Sequence, residues 1–368
     1  MMRFAKHITE IESSGIRKCF DGVGPGAVNL SIGQPDFDTP GHIKEAAIKA
    51  IEQGMTGYTP NLGIPELRAA ICEKLRRENG LTFSPDQIMV TSGASEALFL
   101  AIAAVTSPGD EVLMPDPGFV SYRPLVQAAN GRPVGVHLDH ELKLSVDTVA
   151  EHITPKTSAI IVNSPANPTG AVQSESEIRG LAELADDKGI ALISDEVYEH
   201  FIYEGEHVSP ARYGENVITV NAVSKTYAMT GWRLGYLAAP PEAIDVMLKI
   251  HQYIQACASS ISQAAALAAI TGPQDCVREM RESFRRRRDM MIRGLRDLGL
   301  DLVVPKGAFY IFPRVGDGDE FAARLGAAGV ITVPGSAFGV NGKPHIRISY
   351  AVSEDNLRLA LERMKEVV

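Results

Sequence analysis

The chain has 368 residues, of which 45% are hydrophobic and 22% are charged. This length allows two or three structural units, and the composition excludes the disordered, fibrous and membrane classes. The formal charge of -9 argues against nucleic acid or anionic lipid as the main ligand, because both require a basic surface. We therefore expect a globular protein that acts on small molecules.

The cysteines and histidines give no sign of a disulfide framework or a metal site. The four cysteines are scattered without a CxxC pair, so we expect reduced, buried thiols. His137 and His140 lack a third ligand at a recognisable spacing, and we expect no metal. No segment has the pattern of a secretory signal or the length of a membrane span, which predicts a cytoplasmic location. The cysteines are Cys19, Cys72, Cys257 and Cys276.

Short apolar runs alternate with helical patterns through the middle of the chain, which predicts βαβ units and a mainly parallel sheet. In such sheets ligands bind beyond the carboxyl ends of the strands. The predicted strands, in chain order, are DQIMVTS, followed by the helix SEALFLAIAAV; DEVLMPD; SAIIVNS, followed by the helix SEIRGLAELADDKG; IALISDEVY; and VITVNAVSK.

The pattern changes after about residue 270. A long charged helix contains the basic run Arg285 to Arg288, which we expect to be a solvated face. The short strands FYIFP and HIRISYA and a final helix follow, which indicates a second, smaller α+β unit. We predict a large domain over residues 36–270 and a small domain built from residues 1–35 and 271–368.

The strand VITVNA runs directly into Ser224 and Lys225, and Arg233 follows beside glycines. Burial of a lysine favours the neutral amine, which is the form that attacks carbonyl groups. Ser224 and Arg233 supply a hydroxyl donor and a planar cation that suit a phosphate dianion. On its own, a lysine at this position would be better explained as a surface lysine at a strand end, and the surrounding residues are what favour the chemical role.

Three other strand ends carry polar motifs. In TSGASEAL, the residues Gly93 to Ser95 form a turn before a helix, where backbone amides and the helix dipole can hold a phosphate, although ordinary capping is the alternative. Asn167 in NSPANPTG could be turn chemistry alone. Asp195 follows the strand IALIS, where it could be a helix N-cap.

In this order the motifs resemble the class I/II family of fold-type I pyridoxal-phosphate aminotransferases, of the aspartate/aromatic type and subgroup I-gamma. The resemblance runs from about residue 28 to the C-terminus and departs from the family only mildly, with Ala222 where glycine or serine is usual. It implies an α/β fold with a mainly parallel central sheet in the large domain. It also implies pyridoxal 5'-phosphate as the cofactor, joined to Lys225 as a Schiff base.

The resemblance further implies roles for the cofactor-binding residues. Lys225 would shuttle a proton at the substrate α-carbon, and Asp195 would keep the pyridine nitrogen protonated, so that the ring withdraws electrons. Tyr198 and Asn167 would bond the phenolic oxygen, and Phe119 would stack on the ring, with core packing as its alternative. The implied phosphate ligands are Gly93, Ala94, Ser95, Ser224 and Arg233.

Substrate and partner residues follow from the same resemblance. Gly33 in SIGQPDFDTP would let the backbone approach the substrate carboxylate, and Arg347 in HIRISYA would grip that carboxylate bidentately. Tyr58 would reach across a homodimer interface to the partner's phosphate. Taken singly, these could be a turn, an exposed strand face and core packing. SSGIRKCF resembles the N-terminal helix of archaeal-type and bacterial aspartate aminotransferases, so Arg17 could close over the substrate.

These residues predict reversible, ping-pong transfer of an amino group from an L-amino acid, with aspartate favoured, to a 2-oxo acid such as 2-oxoglutarate. An aromatic or alanine aminotransferase would share the cofactor motifs, as would a C–S β-lyase or a cyclopropane-forming enzyme. A non-catalytic regulator on the same scaffold is the alternative outside enzymes.

Overall fold

A computed structural model describes residues 2–13, 15, 24 and 26–368. The described part contains twelve strands. In chain order they are β1 Val28–Asn29, β2 Ile88–Thr91, β3 Glu111–Asp116, β4 Arg132–His137, β5 Thr157–Asn163, β6 Ala191–Asp195, β7 Val217–Ala222, β8 Gly235–Ala238, β9 Tyr310–Ile311, β10 Val330–Ile331, β11 Val333–Pro334 and β12 Ile346–Ser349.

The helices surround these strands. The α-helices of the described residues are α1 Lys6–Thr9, α2 Gly41–Glu52, α3 Pro65–Lys74, α4 Ala94–Val105, α5 Tyr122–Ala128, α6 Val146–His152, α7 Glu175–Lys188, α8 Val223–Thr226, α9 Pro241–Ile254, α10 Ser260–Thr271, α11 Asp275–Asp297, α12 Gly318–Ala327 and α13 Glu354–Met364. A π-helix spans Leu75–Asn79, and short 3-10 helices span Pro85–Gln87, Pro210–Arg212, Thr230–Trp232, Gly335–Phe338 and Val340–Gly342.

Seven strands form the central sheet, in the order β2-β8-β7-β6-β5-β3-β4. Only β8 runs antiparallel to its neighbours, so the predicted mainly parallel sheet is confirmed. Its central strands are continuous apolar runs because helices cover both faces. In β6, for example, Leu192 faces one buried cluster and Ile193 faces another on the opposite side. The sequence did not predict β4 and β8.

Helix α7 shows how local sequence sets an element on the sheet. Ser174 caps its start by accepting the N–H of Glu177, and Gly189 ends it in the left-handed conformation. Its apolar stripe is buried against the sheet, as the helical period requires, and consists of Ile178, Leu181, Ala182 and Ala185.

Two small sheets lie outside the central one. Strand β1 pairs in parallel with β10, and β11, β12 and β9 form an antiparallel sheet. Residues from both ends of the chain therefore share one hydrophobic cluster, in which Leu30 and Phe309 are completely buried. The domain boundaries at residues 36 and 270 stay predictions.

The prediction that Arg285 to Arg288 form a solvated face is wrong for half of the run. Arg287 and Arg288 are buried: Arg287 donates to Asp36 over 2.6 Å, and Arg288 donates to Glu204 over 2.9 Å. Both carboxylates come from distant parts of the chain, so the sequence of α11 alone could not reveal them.

The described cysteines are reduced but less buried than expected. Cys72, Cys257 and Cys276 are free and only partly buried, and Cys19 lies outside the described residues. Over the described part of the chain, no helix is both long enough and apolar enough to cross a membrane.

Candidate active site

A cavity of about 240 Å³ opens at the carboxyl ends of the central strands. Because β5, β6 and β7 are parallel neighbours, the residues that follow them meet at one edge of the sheet. The predicted site residues that line the cavity are Gly33, Ala94, Ser95, Phe119, Asn167, Asp195, Tyr198, Ser224, Lys225, Arg233 and Arg347.

Lys225 lies in the short helix α8, directly after β7. Its Nζ donates to the carbonyl oxygen of Gly33 over 2.6 Å. Burial lowers the pKa of the ammonium group to about 8, and the positive charges of Arg347 and Arg233 act in the same direction. Near neutral pH the amine is thus poised between its charged and nucleophilic forms.

Asp195 ends β6 and is buried beside the same cavity. Burial raises the pKa of its carboxyl group to about 6, and this rise is limited by the Tyr122 hydroxyl, which donates to Oδ2 over 2.7 Å. Tyr122, the first residue of α5, was missed by the sequence reasoning because only the fold brings it to Asp195. The other oxygen, Oδ1, accepts the N–H of Val197 over 3.4 Å, and each carboxylate oxygen can accept a further hydrogen bond from a ligand in the cavity.

Two tyrosine hydroxyls form a second pair in the cavity wall. The hydroxyls of Tyr198 and Tyr310 lie 2.8 Å apart, and burial raises the pKa of both phenols. Gly33 fits against this pair only because it lacks a side chain: a Cβ there would lie 2.3 Å from the Tyr310 hydroxyl. Tyr310 is a cavity residue that the sequence reasoning did not single out.

Arg347 lies on β12 and is 1% exposed, which excludes the exposed strand face as an explanation. Its guanidinium donates to Asn167 Oδ1 over 3.0 Å and to the carbonyl oxygen of Ser31. The rings of Tyr310 and Phe338 lie 4.6 Å and 4.9 Å from its Cζ. The guanidinium is therefore held in one orientation at the cavity wall, which suits a carboxylate ligand.

The other end of the cavity presents donors for an anion. Gly93 precedes α4 with φ 80°, and a Cβ on it would lie 2.6 Å from Nη2 of Arg233. The absent side chain lets the guanidinium pack against the helix N-terminus, beside the hydroxyls of Ser95 and Ser224. This donor set fits a phosphate group. With Lys225 and Asp195 in the same cavity, the residues fit pyridoxal 5'-phosphate.

The structure places three other predicted site residues differently relative to the cavity. Phe119 lines the cavity, with its ring edge-on to Tyr122 at a centroid distance of 5.5 Å. Tyr58 is 92% exposed, so core packing is excluded, and it does not line the cavity of its own chain. Arg17 lies outside the described residues.

A buried polar network lies behind the segment that carries Asp195 and Tyr198. Glu199 forms an ion pair with Lys74 and accepts hydrogen bonds from Asn79 over 2.7 Å and Asn221 over 2.6 Å. Glu196 accepts from Ser194 and Ser209 and pairs with His207 Nε2 at 2.8 Å. The carboxylates of Glu196 and Glu199 with His207 have a geometry that could hold a metal ion, but Lys74 already supplies a cation there.

This network predicts a pH-dependent stability. Burial alone would lower the pKa of His207, but the carboxylates of Glu196 and Glu199 outweigh it and raise the pKa above 6.5. The imidazolium therefore stabilises the fold at pH 6, and this contribution is lost as the pH rises through the raised pKa. We expect His207→Gln to cost roughly 1–2 kcal/mol of unfolding free energy at pH 6 and less at pH 9, measured by urea denaturation.

The exposed residue His140 offers a matched control. The His140→Gln variant should show the wild-type dependence of stability on pH. A His207→Gln penalty that is equal at pH 6 and pH 9 would mean that the charge of His207 has no part in the network.

Residues 25–364 match the family described as aminotransferase class I and II. The chain therefore belongs to the class I and II aminotransferases, a family of pyridoxal-phosphate-dependent transferases.

Relatives of known name agree with this membership. The chain is 48% identical over 366 residues to the "probable aspartate aminotransferase" of Methanocaldococcus jannaschii, with 97% of each chain covered. It is 43% identical to aromatic-amino-acid aminotransferase 2 of Thermococcus litoralis, covering 100% of this chain and 98% of that one. The solved structure of the aspartate aminotransferase from Thermus thermophilus with maleate matches at a TM-score of 0.96 and 43% identity, covering 100% of both chains.

Proposed function

We propose that the chain transfers the amino group of L-aspartate to a 2-oxo acid such as 2-oxoglutarate in a ping-pong reaction. The observation that carries this proposal is the buried amine of Lys225, with a pKa of about 8, in one cavity with the buried Asp195 and Arg347. The names of two relatives, a "probable aspartate aminotransferase" and an aspartate aminotransferase, favour aspartate as the donor.

The residues divide the work of binding between two ends of the cavity. Ser95, Ser224 and Arg233, with the amides at the start of α4, would hold the phosphate of the cofactor. Asp195 would accept a hydrogen bond from the ring nitrogen, and its carboxylate would keep the proton there. When bound, pyridoxal phosphate supplies an aldehyde that reacts with amines and a protonated ring that withdraws electrons from the substrate α-carbon.

Lys225 would act on the proton of the substrate α-carbon. An amine with a pKa near the working pH can accept a proton from the α-carbon and return it at another atom, which is the condition for efficient general acid–base catalysis. The hydrogen bond to the carbonyl oxygen of Gly33 orients the amine of Lys225. Tyr198 and Asn167 would donate to the phenolic oxygen of the cofactor, and Phe119 would hold the ring plane.

A half-reaction screen tests the proposed function. The protein loaded with cofactor is mixed with single amino acids, and the absorbance of the bound cofactor is followed as it accepts the amino group. We expect aspartate to react fastest and to yield its 2-oxo acid. A faster reaction with aromatic amino acids or alanine would contradict the proposed donor, and release of a thiol or ammonia would contradict transfer itself.

Arg347 offers a test of substrate orientation. We expect Arg347→Lys to lower kcat/KM for both aspartate and 2-oxoglutarate by roughly 100-fold, because a lysine cannot reproduce the two parallel bonds to a carboxylate. The affinity for the cofactor should stay within about twofold, as expected for a residue that binds only substrate. Steady-state kinetics and cofactor titration measure both. An unchanged kcat/KM would assign the α-carboxylate to another residue.

We also propose a homodimer in which Tyr58 binds the partner's phosphate. The 92% exposure of this aromatic side chain supports the proposal. In a hybrid of a Tyr58→Phe subunit and a Lys225→Ala subunit, one site would then be intact, so we expect wild-type cofactor affinity at the active site. Weakened affinity in the isolated hybrid would place Tyr58 at the site of its own chain. The role of Arg17, the domain boundaries and the cytoplasmic location stay predictions.

A further inference from the structure

A carboxylate at the end of β3 holds a loop from the C-terminal part of the chain. Asp116, the last residue of β3, is 5% exposed. Its Oδ2 accepts the N–H of Val340 over 3.2 Å, and its Oδ1 accepts the N–H of Asn341 over 3.0 Å. Two residues further on, the N–H of Gly118 donates to the carbonyl oxygen of Phe338 over 2.9 Å. Residues 338–341 are thus tied to the central sheet at three points.

Two glycines make room for this carboxylate. Gly339 has φ 137°, and a Cβ there would lie 2.0 Å from Oδ1 of Asp116. A Cβ on Gly135, in the neighbouring strand β4, would lie 2.8 Å from Oδ2. Any side chain at these two positions would therefore push the carboxylate out of place, which indicates a contact built into both segments.

The loop held by Asp116, residues 338–341, places an aromatic ring against the guanidinium of Arg347. The ring of Phe338 is buried, lies 4.9 Å from Cζ of Arg347, and packs edge-on against Phe312 at 6.0 Å. The ring of Tyr310 also lies against this guanidinium. Phe338 and Tyr310 together therefore hold the plane of the forked guanidinium group. A planar fork binds a carboxylate with two parallel bonds only when its plane is fixed.

We infer that Asp116 is a positioning residue for substrate binding: it holds residues 338–341 so that Phe338 keeps Arg347 aligned for the substrate carboxylate. This inference rests on the proposed function, because it takes Arg347 as the carboxylate ligand. Asp116 itself does not line the cavity. Asp116 should therefore affect the affinity for both substrates, because they share the α-carboxylate. The loss of binding should be equal in the ground state and the transition state, so that KM changes and kcat does not.

Asp186 in α7 provides a matched control. It also accepts two consecutive backbone N–H groups, those of Glu215 and Asn216, each over 2.9 Å. It anchors a loop through the same two-bond pattern, at a half-buried position, and neither the aspartate nor that loop lines the cavity. A general effect of losing such a loop anchor would therefore appear in both variants.

The experiment compares Asp116→Asn and Asp186→Asn with the wild type, all loaded with cofactor. We expect Asp116→Asn to raise KM for aspartate and for 2-oxoglutarate by about tenfold, with kcat and cofactor affinity within about twofold of the wild type. Asp186→Asn should leave KM unchanged. An unchanged KM in Asp116→Asn, or the same change in both variants, would overturn the inference. A wild type that transfers no amino group would instead refute the proposed function.

A second variant tests the route through Phe338. Phe338→Leu should raise the same KM values, and the double variant with Asp116→Asn should be no worse than the more affected single variant, because both act through one contact. Additive effects in the double variant would show that Asp116 does not act through Phe338 and would overturn the inference.

Discussion

We expect the Lys225→Ala variant to lose transamination by at least about 10⁴-fold, because alanine removes both the amine that attacks the cofactor carbonyl and the group that carries the proton. The variant should also lose the visible absorbance that the cofactor has when it is joined to the lysine. Initial rates and absorbance spectra of the reconstituted protein measure the two losses separately.

Two further variants separate the amine from its charge. Lys225→Arg keeps a cation in the cavity, but a guanidinium is not deprotonated in proteins, so we expect it to be as inactive as Lys225→Ala. Lys188→Ala removes an exposed lysine at the end of α7 and should retain full activity. If Lys225→Arg kept substantial activity, positive charge alone would be sufficient, and the assignment of Lys225 as nucleophile would be wrong.

Asp195→Asn should have the second largest effect, with opposite consequences for activity and stability. We expect kcat to fall by about 10³-fold, because asparagine cannot keep the ring nitrogen protonated. The folded-state pKa of Asp195 is about 6, above its ordinary value of 3.8, so its contribution to stability is complete below pH 3.8 and lost as the pH rises through 6. At pH 7 the cofactor-free variant should therefore be more stable than the wild type by roughly 1–3 kcal/mol.

Urea unfolding of the cofactor-free proteins and kinetics of the loaded proteins measure these two effects. Tyr122→Phe is a milder change than Asp195→Asn, because it keeps the carboxyl group and removes only the hydroxyl that lowers the pKa of Asp195. The acid limb of its kcat/KM profile should move to higher pH. An Asp195→Asn variant with wild-type kcat would remove the carboxylate from the proposed reaction.

The residues that follow parallel strands were predictable from the sequence. Lys225, Asp195 and Asn167 each come shortly after an apolar run, and parallel strands bring their carboxyl ends to one edge of the sheet. The family resemblance then suggested what each residue would contact. The structure places all three on one cavity.

Residues that act through long-range contacts could not be predicted in this way. Asp116 and Tyr122 flank Phe119 in the sequence PDPGFVSY, and Tyr310 lies in the predicted strand FYIFP, but the partner of each is more than 70 positions away in the chain. The burial of Arg287 and Arg288 was missed for the same reason. Strand β4 was missed because Pro133 interrupts its apolar pattern, and β8 because it begins at Gly235, a residue that is uncommon in strands.

The backbone between β1 and α2 links two cationic side chains of the site. Two main-chain carbonyl oxygens, those of Ser31 and Gly33, accept hydrogen bonds from Arg347 and Lys225. A shift of residues 31–33 would therefore change the surroundings of the proposed carboxylate ligand and of the proposed nucleophile together. Residues 31–33 carry no charge themselves, yet they would couple the orientation of Arg347 to that of Lys225.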